Sequence, residues 1–340
     1  MKSPMIESVR FRNFKALRDT ILPLNPFTLL IGPNGSGKST ALQALRLAGK
    51  PSEAIYLHLK TVGQNSSDAA SVEVVIKWGN PYENVTTITR WVERGYEPPV
   101  HEVSGNTTLS GNEQNLLNAI LSRIQIYSFD ARSLAAQVQL VPDLQLDGYG
   151  VGLAGVLDQL RDRDPDRFEA LRGEFSRCIP EFDQISFNTV GHGFKELALR
   201  TREGHHIIRV QDVSQGTLLA LAILTLAYLP DPPSIVCLED PDRGLHPRLL
   251  RDVQDALYRL SYPQDFGETR LPVQVLATTH SPYFLDLFRD HPEQVVIAHK
   301  TVPEARFERL LQRVDIHEIL GEAHLGDVWY SGILGGVPPR

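Results

Sequence analysis

Cysteine is nearly absent from this chain, with only Cys178 and Cys237 among 340 residues. Two cysteines exclude a disulfide framework and a cysteine-rich metal cluster. Cys237 stands inside an apolar run and reads as a small buried side chain. No apolar run approaches the roughly twenty residues that a membrane-spanning helix needs. The opening Met1-Lys2-Ser3-Pro4-Met5 lacks the apolar core of a secretory signal. The cytoplasm is therefore the expected compartment, with no membrane partner. Basic charge is short as well: 34 Lys and Arg stand against 41 Asp and Glu, a net charge of −7. That balance excludes a surface that is basic overall. Nucleic acid stays possible, because binding depends on where the cations lie, but net charge does not support it. Internal repeats, low-complexity tracts and long heptad stretches are missing too, the last notably from the interval before Asp212.

What is present suits one large α/β domain or two smaller ones with a sizeable core. Residues 6–12 alternate as a strand should, and 21–31 supplies further strand, broken at Pro23 and Pro26. The runs 71–78 and 85–91 read as paired strands around a turn at Gly79-Asn80-Pro81, an antiparallel meander. Residues 104–112, rich in Gly, Asn, Ser and Thr, read as an exposed loop, and 124–129 returns as strand. Beyond a flexible entry at Gly148–Gly152, Val156-Leu157-Leu160 and Phe168-Leu171-Phe175 have helical spacing. They read as two amphipathic surface helices. Residues 185–210 read as short strands with turns at Gly191-His192-Gly193 and Glu203-Gly204. The continuous apolar runs 234–238 and 273–277 suit strands buried on both faces of a parallel sheet, and helical patterns separate them.

The most informative stretch is Gly32-Pro33-Asn34-Gly35-Ser36-Gly37-Lys38-Ser39, with Thr40 behind it. It follows the apolar Phe27–Ile31 and runs into Ala41–Leu45, so the order is strand, Gly-rich turn, helix. The spacing is that of a P-loop. Its glycines let backbone N–H groups curl around a polyphosphate, and the following helix points its positive end at the same anion. Lys38 reaches the outer phosphates, and Ser39 places a hydroxyl on Mg²⁺. ATP and Mg²⁺ are the expected ligands.

Three further stretches follow. Asp212-Val213-Ser214-Gln215-Gly216-Thr217 opens an apolar helix over 218–229. Taken alone it is either a simple N-cap or a second anion-binding terminus. Glu239 and Asp240 end the buried strand 235–238, and Pro241 stops it. Two buried acids call for a cation or a reacting water nearby. Thr278-Thr279-His280-Ser281 ends another apolar strand, where open α/β sheets gather their ligands.

The order of these four motifs resembles the ATP-binding-cassette (ABC) ATPases, in the AAA branch that includes RecF, SMC heads and OLD-family proteins. The N-terminal Phe11-Arg12-Asn13-Phe14-Lys15-Ala16-Leu17 and the loop Pro241-Asp242-Arg243-Gly244-Leu245-His246-Pro247 resemble that branch. The ending Leu325–Tyr330 with Gly332 and Gly335-Gly336 resembles stand-alone ATPases of bacterial defence operons. The resemblance implies an α/β P-loop NTPase with an ABC-type head: a mixed or parallel sheet core, an antiparallel β subdomain and a helical signature lobe. It divides the chain at 1–130, 131–230 and 231–340. It implies Glu239 as the Walker B metal-associated acid, Asp240 as the base that orients water and His280 as the switch histidine. Ser214 and Gly216 match the signature that contacts ATP on the opposite subunit, which implies a head-to-tail homodimer around two ATP molecules. Gln125 is a weak match to the Q-loop glutamine.

Two departures stand out. The signature reads Val213-Ser214-Gln215-Gly216-Thr217 instead of LSGGQ, and Asp240 stands where glutamate is usual. The shorter acid predicts slow hydrolysis, because small misplacements of the attacking water cost much rate. The expected role is an ATP-dependent switch that gates a separate effector, a nuclease or toxin, in anti-phage defence. RecF-like DNA repair and a non-hydrolysing ATP-dependent scaffold are the alternatives. SMC-type arms are not expected without heptads, and the residues after His280 are too few for a fused TOPRIM nuclease.

Overall fold

The computed structural model describes residues 4–61, 71–93, 99–105, 109–191, 193–301, 304–316, 319, 321 and 324–335. Met1 to Ser3, the expected turn residue His192 and Gly336 of the C-terminal ending lie outside them. The chain divides into two compact units: residues 1–126, 233–237 and 271–340 form the first, and 127–232 and 238–270 the second.

The first unit holds two sheets. Strands β1 (Ile6–Phe14), β2 (Leu17–Pro23), β4 (Ser71–Trp78), β5 (Val85–Val92) and β6 (Val100–Gly105) form an antiparallel sheet in the order β2-β1-β4-β5-β6. Burial alternates strictly along β5, as one core-facing side dictates. The buried Trp78 indole N–H finds the Thr87 hydroxyl at 2.9 Å. The expected turn between these strands is present, closed by the Tyr82 N–H on the Gly79 carbonyl.

The second sheet has six strands: β3 (Phe27–Ile31), β7 (Ile124–Tyr127), β12 (Ile235–Leu238), β13 (Gln274–Thr279), β14 (Val295–Thr301) and β15 (Glu304–Arg309). Their order is β15-β14-β3-β13-β12-β7. Every residue of β3, β12 and β13 is buried, which explains their largely apolar sequences. Both β13 and β14 run parallel to β3, while β15 returns antiparallel. The Gln274 N–H donates to the Ser234 carbonyl at 3.2 Å, so β12 and β13 start at the same sheet edge.

Helix α1 (Lys38–Gly49) buries Ala41, Leu42, Ala44, Leu45 and Ala48 against the core that also holds Phe11, Phe14 and Leu17. After the short α2 (Tyr56–Leu59), helix α3 (Gly111–Ser122) corrects the expectation of a loop over 104–112. Ser104 and Gly105 end β6, and Gly111 and Asn112 open the helix. Its signal was in the sequence: Ser110 and Glu113 form a capping box, each side chain accepting from the other's backbone N–H. In the same unit α9 (Pro282–Asp286) packs against α10 (Leu325–Tyr330).

The second unit contains α4 (Ala131–Leu134), β8 (Val138–Gln139), the antiparallel set β9 (Phe182–Val190), β10 (Phe194–Thr201) and β11 (Ile207–Arg209), and four longer helices. Helices α5 (Leu153–Arg163) and α6 (Pro165–Cys178) appear where the apolar spacing predicts them. Helix α7 (Gln215–Tyr228) is buried on all sides from Thr217 onward, and α8 (Leu250–Ser261) packs on it.

Candidate nucleotide site

The P-loop leaves β3 at Gly32 and re-enters regular structure at Lys38. Its shape depends on two glycines in particular. A Cβ on Gly32 would lie 2.5 Å from the Ala298 carbonyl oxygen and 2.7 Å from Ser36 Oγ, so no side chain fits. Gly37 sits at φ 94° as the N-cap of α1, a left-handed conformation that costs glycine little. The loop is closed by the Ser36 N–H on the Pro33 carbonyl at 3.2 Å.

Lys38 is only 6% exposed. Its ammonium donates to the carbonyls of Gly32 at 2.7 Å and Pro33 at 3.1 Å, so the cation is held inside the loop by backbone oxygens. Asn34, Gly35 and Ser39 are exposed, Thr40 is half-buried, and Ser36 is buried with its hydroxyl oxygen unpaired. An exposed crest at Asn34 and Gly35, an exposed Ser39 and the positive end of a 12-residue helix are features that suit an anion.

Sheet register decides what lies beside it. Thr279 of β13 and Ile297 of β14 both pair with Ile31. Gly32 and His280 therefore leave the sheet at one level, with Ala298 of β14 beside them. His280 is exposed there. Ser281 after it caps α9, its Oγ accepting from the Phe284 N–H at 3.2 Å. The P-loop and His280, at least 240 positions apart in the sequence (280 − 40), thus follow the ends of two adjacent parallel strands. Strand β14 has no counterpart in the sequence reading, although Val295-Val296-Ile297-Ala298 is an apolar run that could have announced it.

Glu239 and Asp240 follow directly on β12, both half-buried. The Glu239 N–H donates to the Tyr127 carbonyl at 2.8 Å, extending the pairing with β7 past the end of β12. Burial, and then the nearby Asp147 charge, push the Tyr127 phenol above its ordinary range, so it stays neutral. Asp240 adopts φ 45°, and its carbonyl accepts from the Arg243 N–H at 2.9 Å. Gln125 lies within β7, half-buried.

Ser214 caps α7, accepting from the Thr217 N–H at 3.2 Å and meeting the Thr217 hydroxyl at 2.8 Å. Gly216 lies against the loop after the acidic pair: a Cβ there would approach the Gly244 carbonyl oxygen to 2.8 Å. By unit, the P-loop and His280 belong to the first, while Glu239, Asp240, Ser214 and Gly216 belong to the second. The chain passes from one to the other within β12.

Among the described residues, no three His, Cys, Asp or Glu side chains converge on a metal position. Among the described residues no helix is long and apolar enough to cross a membrane.

Comparison with known proteins bears on the family and the fold. The family model described as "AAA domain, putative AbiEii toxin, Type IV TA system" matches residues 65–286, and one described as "AAA ATPase domain" matches residues 5–89. The OLD nuclease of Thermus scotoductus is 23% identical over 350 residues, covering 87% of this chain and 64% of the relative. The chain thus spans a little under two thirds of that relative's length. A Smc head domain from Pyrococcus furiosus, bound to the C-terminal domain of ScpA, superposes with a TM-score of 0.62 at 15% identity over 93% of this chain and 99% of its own. The SMC head domain from Thermotoga maritima gives 0.51 at 15% identity, over 91% and 99%. At such identities the likeness concerns the fold, which is the α/β P-loop head of ABC type that the motifs imply.

Proposed function

Because the chain belongs to the AAA-domain family that matches it over residues 65–286, within the ABC-type branch of RecF, SMC and OLD proteins, we propose that it is an ATP-hydrolysing switch. The observation that supports this best is the shared level at which Gly32 and His280 leave the six-stranded sheet, beside the strand leading into Glu239 and Asp240. In this reading Lys38 and the amides of residues 32–40 hold the phosphates. Ser39 and Glu239 hold Mg²⁺, which when bound neutralises charge on the outer phosphate oxygens. Asp240 orients and deprotonates the attacking water, and His280 contacts the terminal phosphate.

Ser214 and Gly216, at the start of α7 in the 131–230 signature lobe, complete the site of a second copy. Two ATP molecules are then sandwiched between head-to-tail protomers. Hydrolysis is slow because Asp240 is one methylene shorter than glutamate, which suits a timer better than a motor. The gated partner is a separate effector protein, a nuclease or toxin, in bacterial defence. The family description, with its toxin–antitoxin system, and the OLD nuclease relative support that setting. Asp240 also favours a second reading, a scaffold that binds ATP without turning it over.

ATP turnover and particle mass by light scattering, for wild type and Asp240→Ala, test the proposal. ATP is expected to drive dimerisation, with Asp240→Ala trapping the dimer and abolishing turnover. Stimulation by duplex DNA would shift the role toward repair. Wild type that binds ATP yet neither dimerises nor hydrolyses it would leave only the scaffold.

A further inference from the structure

The sequence motifs assign one lysine to the phosphates, but the fold brings a second one to the same loop. Strand β14 pairs with β3 from Val295↔Leu29 to Ile297↔Ile31 and carries on beyond the end of β3, still paired with β15. Ala298 there closes against Gly32. Two residues on, the Lys300 Nζ lies 3.4 Å, and its Cε 3.8 Å, from where a Cβ on Gly35 would stand. Gly35 is the exposed crest of the loop, three residues before Lys38.

The charge environment makes this placement informative. Beside the crest are the positive N-terminal end of α1 and the Lys38 ammonium. Both repel a second cation. Among the described residues no carboxylate pairs with Lys300, which is exposed. Some cations of this unit are paired, Arg10 with Asp19 at 2.7 Å, Lys77 with Glu7 at 2.7 Å and Arg12 with Glu73 at 3.2 Å. An unpaired ammonium against a positive crest is stabilised when a polyanion occupies the loop.

We propose that Lys300 is a second phosphate-binding cation of the nucleotide site, reaching the polyphosphate from the β14 flank of the P-loop. The inference rests on the nucleotide reading of that loop. The sheet order puts β14 on one side of β3 and β13, with His280 at its end, on the other. Lys300 therefore grips the polyphosphate from the side away from His280 and from the strand that leads into the acidic pair. As a point charge on a flexible stem it contributes through charge, not through a fixed fork of donors, so arginine can replace it in part.

Equilibrium binding of ATP, and competition by inorganic pyrophosphate, in wild type, Lys38→Ala, Lys300→Ala and Lys300→Arg tests this. Lys300→Ala is expected to weaken ATP and pyrophosphate alike by about tenfold, the size of one charge-assisted contact. Lys300→Arg should restore binding to within about threefold of wild type. Melting temperatures without nucleotide should match, since the replaced side chain is exposed. Unchanged binding in Lys300→Ala overturns the proposal, as does a loss for ATP with none for pyrophosphate, which would place Lys300 on the base or ribose. If wild type binds no ATP, or Lys38→Ala binds as wild type does, the nucleotide reading itself has failed. If Lys38→Ala loses binding and Lys300→Ala keeps it, only the role of Lys300 falls.

Discussion

Asp240 shows what a single residue's backbone can decide. Read as letters, an aspartate in place of glutamate is only a shorter acid. In the fold its φ is 45°, a left-handed conformation that Asp and Asn tolerate better than other side chains. The preference separates two properties that substitution can test. Asp240→Asn keeps the turn but removes the base, so its melting temperature should match wild type while turnover disappears. Asp240→Glu restores the longer acid but strains the turn by about 0.5–1 kcal/mol, which should show as a lowered melting temperature. Equal melting temperatures for the two variants would mean that the backbone has no part in the choice of aspartate. Gly32 shows the same thing by crowding: a side chain there is barred by Ser36 within the loop and also by Ala298, 266 positions away (298 − 32).

Elements are tied together here by a few buried polar side chains that periodicity does not reveal. Gln274, the first residue of β13, is 3% exposed. Its Oε1 accepts from the Ile6 N–H at 2.9 Å, and its Nε2 donates to the carbonyls of Ile6 at 2.8 Å and Asn25 at 3.0 Å. One amide thus pins the start of β1 and the turn before β3 to the nucleotide-site sheet. Gln274→Ala leaves a buried N–H and carbonyls unpaired and should cost about 2 kcal/mol or more of stability, measured by denaturant unfolding. The predicted strands 71–78, 85–91 and 234–238 are present because their alternation or continuity follows from which faces are buried. The loop expected over 104–112 gives way at both ends, to β6 at Ser104–Gly105 and to α3 at Gly111–Asn112, for an equally local reason. Composition outweighed the Ser110–Glu113 capping box, which is the stronger physical signal of a helix start.

At the scale of the whole molecule, the two compact units carry one buried cysteine each, Cys237 in the first and Cys178 in the second. Burial, and then the Asp252 charge, push the Cys178 thiol up to about 12. A thiol-specific reagent at pH 8 should therefore label neither residue in the native protein, and each should react as its own unit is opened by denaturant. Fast native labelling of either one would show that its unit opens readily. The pH dependence has a definite sign. A thiol raised from 9.0 to about 12 on folding contributes stability that is complete below pH 9 and is lost as pH rises toward 12. What the sequence by itself determined is the chemistry of contiguous segments. Residues 32–40 specify a phosphate-binding turn because their glycines, lysine and hydroxyls act within one loop and one helix end. The ends of buried strands at Glu239-Asp240 and His280 are legible for the same local reason. Which of those ends become neighbours was decided only by tertiary structure. Strand order and register put His280 and Ala298 level with Gly32 and bring Lys300 to the loop crest. Hydrogen bonding between strands joins residues hundreds of positions apart, and no local periodicity encodes that choice.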